Sequence, residues 1–272
     1  GLVLGSLISY FMTNANLGWQ AQIWIILVPT LIYAYFFFGQ TFPKPRVQEA
    51  ATIKGNLKAM ATPLFIFIAI CMMLTAISEF GPTQWATLVL DKSGADPLLI
   101  MALIFGIMAV GRYFGGEFVH KFDQTGVLLG SAVLTATGIF LLSTLTGSVV
   151  YLGAVVFALG VCFFWPNMIG FVAEKIPKSG ALGMSVVGAI GMFFTGNLQP
   201  IIGGWIDRAR EKAGALGLTG DELDLAAGQN TLQNLITFPA ILVVLFIILL
   251  FWVKKLRIKN APHEEVMPAT DY

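Results

Sequence analysis

Between Cys71 and Leu90 the chain reads CMMLTAISEFGPTQWATLVL, with Glu79 near its centre. A carboxylate inside an apolar run is costly in hydrocarbon, so such a residue faces a bundle interior or a water-filled path and marks a candidate site. Three kinds of chemistry are open to it. As a proton site it binds a proton while desolvated and releases it when water enters from one side. As a ligand residue it accepts hydroxyl or amine hydrogens, and as an ordinary acid it lies far enough outward to reach interfacial water. Gly81 and Pro82 follow, removing a side chain and a backbone donor, and they predict a kink or break in the helix. Gln84 and Trp85 come directly after.

A second charged group sits at the end of another apolar run, where GRYFGGEFVHKF carries Arg112, Glu117, His120 and Lys121. Either these side chains snorkel to the interface, or they form a cytoplasmic cluster that locks two helices in one conformation of a moving protein. Gly111 and Gly115 have GxxxG spacing, and Ala102, Gly106 and Gly116 extend a small-residue face for close helix approach. With a rise of 1.5 Å per residue, Glu79 lies about 22 Å from the inner end of its span and Arg112 about 10 Å from its own. That arithmetic predicts no direct contact between them and no cation at mid-span.

The elements that hold these residues are apolar. Of 272 residues, 57% are hydrophobic and 11% charged, against roughly a quarter charged in a soluble domain. This implies a polytopic protein whose partner is the lipid bilayer, and a net charge of +1 without a long basic run excludes nucleic acid. A span takes about 20 apolar residues. About eight runs answer to that description, at 1–12, 20–38, 64–90, 97–119, 125–146, 148–173, 180–205 and 231–253. Residues 39–61, with prolines and the basic residues Lys44, Arg46, Lys54 and Lys58, read as a linker between a segment at 1–38 and a domain at 62–254, with a tail at 255–272. The Thr219 to Glu222 spacing is that of a capping box opening a short surface helix.

Placing the VKKLRIK tail in the cytoplasm puts twelve of the sixteen Lys and Arg residues on that side, as orientation by positive charge requires. The acids divide seven to seven between the two sides, which leaves Glu79 as the one acid well inside a span. Cys71 and Cys162, far apart and both within apolar runs, read as buried hydrophobes rather than a disulfide or metal pair. His120 and His263 stand at or beyond the cytoplasmic ends and form no intramembrane metal motif, and no ATP-binding motif occurs. No catalytic group, metal or cofactor is expected.

The GRxxGG stretch, followed by a basic residue and Phe122, resembles the loop between the eighth and ninth helices of the major facilitator superfamily, with His120 and Lys121 where the family has Asp and Arg. The resemblance covers the whole chain. Two spans, a basic loop and six further spans are what such a twelve-helix carrier presents without its first four helices. It implies an all-α, polytopic membrane bundle in which 1–38 are the last two helices of the N-terminal half, 39–61 a cytoplasmic inter-domain loop and 62–254 the six-helix C-terminal half. It also makes the spans of Glu79 and Trp165 cavity-lining. Trp85 and Trp165 could then stack on a sugar ring, with Gln84, Asn167 and Glu79 as hydroxyl partners, or else pack against neighbours. Asn197 and Gln199 divide between the cavity and interhelix bonding. The function implied is similar to that of bacterial sugar permeases, including fucose-permease-like carriers: a monomer in the cytoplasmic membrane, its C-terminus inside, taking up a sugar with protons by alternating access. An organic-anion or drug carrier of the same superfamily, and a transport-inactive membrane sensor, are the alternatives.

Overall fold

The computed structural model describes residues 2–41, 52–92 and 96–260. Among them the chain forms helices and turns and no strand. Lys44, Arg46, His263 and the tail from residue 261 lie outside the described residues. Helix α1 (Leu2–Asn14) packs on α6 (Pro97–Tyr113), whereas α2 (Trp19–Trp24) and α3 (Leu27–Phe38) bury no residue. After the short α4 (Ile53–Met60), the remaining helices build one bundle: α5 (Pro63–Lys92), α6, α7 (Gly115–Thr144), α8 (Val150–Val161), α9 (Phe164–Lys175), α10 (Gly180–Ala215), α11 (Gly220–Leu235) and α12 (Thr237–Asn260). At its centre α5 touches α6, α9, α10, α11 and α12, and Ile68, Met72, Phe164, Phe171 and Phe246 are fully buried among them.

Six stretches of the described chain are long and apolar enough to cross a membrane: Trp19–Phe38, Pro63–Trp85, Lys121–Thr144, Gly147–Lys175, Pro177–Ala215 and Gly220–Lys255. Two of the eight expected runs make shorter apolar helices instead. The first forms the 13-residue α1, and the run at 97–119 forms the 17-residue α6, because Phe114 leaves helical geometry at ψ 1°. A second interruption follows inside α7 at Asp123, whose φ of 59° is left-handed. The capping expectation at Thr219 fails in its detail. The helix starts there, but the Thr219 side chain makes no cap bond, and α11 buries Ala227, Thr231, Leu232 and Leu235 instead of lying on the surface.

The break expected at Gly81–Pro82 does not occur, and α5 is continuous for 30 residues. Pro82 cannot donate to the carbonyl of Ser78, but polar side chains bond the carbonyls nearby. The Thr83 hydroxyl donates to the Glu79 carbonyl, and Gln199 Nε2 donates to that of Phe80 at 3.4 Å. Polar side chains of this kind let a proline sit within a membrane helix. Gly81 serves another end: an added Cβ would lie 3.3 Å from Leu235 Cδ2, so its small size lets α11 approach α5. Just before Pro166 the run at 148–173 is divided into α8 and α9.

Helices α7 and α8 pack closely. A Cβ added at Gly138 would overlap the Phe157 backbone, and one at Gly160 would overlap that of Thr135. Close approach of this kind is what small residues provide where lipid offers no hydrophobic drive for helix association. Gly130, on the same α7, has nothing within 4 Å of an added Cβ. Gly138→Ala and Gly160→Ala are therefore expected to destabilise by about 1–3 kcal/mol through overpacking. Gly130→Ala should be neutral or slightly stabilising, since alanine favours the helix. Thermal denaturation of the purified variants in detergent checks this, and equal melting of all three would contradict the packing account.

Candidate functional site

The site begins with a proline. In an unbroken helix the amide of residue 166 would donate to the Cys162 carbonyl, but Pro166 has no N–H and its ring crowds that carbonyl. Helix α8 ends at Val161, α9 starts at Phe164, and the Cys162 oxygen is left facing α6. Arg112 fills the gap, its Nε donating to Cys162 O at 2.9 Å. The same guanidinium presents Nη2 to Glu79 Oε1 at 3.7 Å. One side chain on α6 thus ties the break between α8 and α9 to the centre of α5.

Glycine makes room for this junction. A Cβ at Gly111 would lie 2.6 Å from Cys162 Sγ, and one at Gly115 would lie 3.1 Å from Phe163 Cε1. Gly111 therefore lets α6, and Gly115 the start of α7, approach the break closely, while Gly106 and Gly116 meet nothing within 4 Å. The Cys162 thiol donates to Met108 O at 3.5 Å, a second hydrogen bond between α6 and the break. Glu79 is 6% exposed, while the Arg112 side chain is 37% exposed and so reaches from the interior toward the bundle surface. Three buried polar atoms nearby in the chain, Glu79 Oε2, Trp165 Nε1 and Asn167 Nδ2, have no hydrogen-bond partner among the described residues.

The model of one protein family, described as Major Facilitator Superfamily, matches residues 1–196, a stretch that includes Glu79, Arg112, Trp165 and the break. The chain belongs to the Major Facilitator Superfamily. It is accordingly an integral membrane protein and a secondary transporter of that superfamily. No curated protein and no solved structure matches it.

In this facilitator the contact between Glu79 and Arg112 corrects the expectation that they lie too far apart, and Arg112 supplies the mid-bundle cation that was not expected. The reason is register. The inner ends of two hydrophobic runs of unequal length are not at equal depth. Counted instead from the facing ends of α5 and α6, Glu79 is 13 residues before Lys92 and Arg112 is 15 after Pro97. These are depths of about 20 and about 22 Å, so the two residues are level.

The other candidate residues are spread over several contacts. Trp165 meets Phe80 edge-on at 5.9 Å, and Asn167 is 5% exposed on the same helix. Trp85 Nε1 donates to Gln199 Oε1 at 2.7 Å, tying α5 to α10. Gln84 is exposed, and Asn197, also exposed, bonds back to Phe193 O at 2.7 Å. Arg112 turns away from the group it was placed with: Glu117 and Lys121 are exposed, and Lys121 Nζ lies 5.6 Å from the Phe122 ring centre. The side chain of His120 is outside the described residues.

Two features escaped sequence reasoning. The Cys162 carbonyl was signalled by a proline four residues on. A cavity of about 600 Å³, lined by Trp205, Arg208, Lys212, Asn230, Asn234 and Phe238, was signalled by cations and by amides each spaced four apart on neighbouring helices. None of the candidate substrate residues lines that cavity.

Removing Arg112 leaves a buried carboxylate uncompensated and a backbone carbonyl unpaired. Arg112→Ala is expected to cost about 1–3 kcal/mol, the range for orphaning a buried polar group. In the Arg112→Ala/Glu79→Gln double variant the loss should be smaller than the sum of the two single losses, since the groups are coupled. A double-mutant cycle by thermal denaturation measures the difference; strict additivity would mean that the pair does not interact.

Proposed function

We propose that this transporter moves a small polar solute, a sugar or polyol, across the cytoplasmic membrane together with a proton, and that Glu79 is the proton site. The supporting observation is the uneven grip of Arg112. Its Nε is committed to Cys162 O at 2.9 Å, whereas its approach to Glu79 at 3.7 Å is longer than a hydrogen bond. The carboxylate is buried, and its second oxygen has no partner among the described residues. Protonation of Glu79 would weaken the ion pair without releasing Arg112 from the carbonyl, and the guanidinium edge would then be free for a solute hydroxyl. Trp165 and Asn167 would contact the solute from the far side of the break, and Gln84, Trp85, Asn197 and Gln199 from the outer end.

Alternating access needs this junction to feel movement elsewhere. Helix α1 packs on α6, the helix that carries Arg112, so displacement of residues 1–38 against 62–254 acts on the junction directly. In this reading the two segments belong to opposite halves of the carrier, Glu117, His120 and Lys121 guard the cytoplasmic end, and the C-terminus is cytoplasmic. The Lys and Arg distribution supports that orientation. A second reading is carriage of an organic anion, favoured by Arg112 standing level with Glu79: with the carboxylate protonated, the guanidinium would hold the anion.

Uptake into proteoliposomes distinguishes the two. With an inward proton gradient, labelled sugars should accumulate against their concentration. Glu79→Gln should lose at least tenfold of that accumulation and keep exchange without a gradient. Undiminished accumulation by Glu79→Gln would remove the proton role. Uptake of carboxylates with no sugar moved would transfer the case to the anion reading.

A further inference from the structure

Helix α4 ends at Met60, and the span of α5 opens at Pro63, so α4 lies at the end of the bundle where a membrane-crossing helix begins. The Thr52 side chain caps it, accepting from Gly55 N at 3.1 Å. At 100° per residue its short sequence divides into three strips. Asn56 and Ala59 form the buried strip, packed on the Pro177–Ser179 turn and on α10. The Asn56 amide lies beside Gly180, where an added Cβ would be 3.5 Å from Nδ2. Next around the helix come Ile53 and Leu57, four residues apart and 74% and 53% exposed. Beyond them Lys54 and Lys58, again four apart, are both exposed.

The docked strip fixes the rotation of α4, so the apolar strip and the lysine strip point in set directions. The helix contains no acid. Lys178, exposed in the turn on which α4 docks, adds a third positive charge, while the neighbouring Lys175 is paired with Glu174. An apolar strip bordered by lysines, at the mouth of a span, matches a helix lying in the membrane interface with its cations toward phosphate headgroups.

We propose that α4 is an interfacial foot, with Ile53 and Leu57 seated at the acyl boundary and Lys54, Lys58 and Lys178 binding the headgroups of anionic lipids. The foot grips the turn that precedes α10 and leads directly into α5. The lipid of that leaflet therefore holds the starting ends of two helices that pack on one another and are cross-linked by Trp85 and Gln199.

The test places an environment-sensitive dye at Leu57→Cys, since Cys71 and Cys162 are buried. The whole protein is reconstituted into vesicles of phosphatidylcholine, with or without phosphatidylglycerol. In anionic vesicles the dye should be quenched by lipids carrying a nitroxide near the headgroup and shielded from aqueous iodide. Each of Lys54→Gln, Lys58→Gln and Lys178→Gln should lower the ratio of seated to lifted foot roughly fivefold. A dye at Val244→Cys, on an exposed position of the α12 span, should be lipid-quenched in every sample and so reports an intact fold. Iodide access at Leu57→Cys in both vesicle types would overturn the proposal. So would lipid quenching that ignores lipid charge, and so would protection from both quenchers, which would mean that protein covers the face.

Discussion

In a membrane interior every backbone carbonyl needs a partner, and the hydrogen bond from Arg112 to the Cys162 oxygen answers that need at the one place where α8 and α9 part. Much of the surrounding architecture is the condition for that bond. Gly111 must lack a side chain for α6 to come within reach of Cys162, and Gly115 must lack one beside Phe163. Few residues separate α5 from α6 in the chain, which keeps Glu79 and Arg112 level. Because Arg112 serves the carbonyl and the carboxylate together, the helix break and the buried acid are parts of one arrangement.

Two prolines show how far local sequence reaches. Pro82 and Pro166 each sit in an apolar run and each removes a donor, yet α5 continues through the first and the helix breaks at the second. At Pro82 the next residue is Thr83, whose hydroxyl bonds back, and Gln199 arrives from α10 to bond the Phe80 carbonyl. Before Pro166 stand Phe163, Phe164 and Trp165, none with a hydroxyl to offer, and the carbonyl is satisfied from a helix 50 residues away. The hydroxyl was visible in the sequence. Gln199 and Arg112 as the remote partners were not, because their arrival depends on packing.

Fold class was legible because hydrocarbon imposes it: long apolar runs with few charges have helices as their economical form, and charge placement bounded the runs. Run edges proved a poor ruler for depth. The run at 97–119 continues past the helix that it forms, since Phe114 interrupts α6 while the sequence stays apolar. For consecutive helices the facing helix ends are the better origin, as the level pairing of Glu79 and Arg112 shows. Trp85 and Gln199 fall to the same limit from the other side: both were singled out as polar groups in spans, but the bond between them joins positions 114 residues apart.

The unequal distances around Arg112 bear on what Glu79 can do. A buried ion pair whose members depend only on each other resists any change in charge, because neutralising one leaves the other exposed to the full cost of burial. Arg112 is not in that position. Its Nε bond to the Cys162 oxygen does not involve Glu79, and its side chain is only partly buried. The helix break would therefore stay tied if the carboxylate gained or lost a proton. This separates a structural duty, carried by Nε, from a variable one, carried by Nη2, and it lets a single arginine hold the bundle together without fixing the charge of the acid beside it.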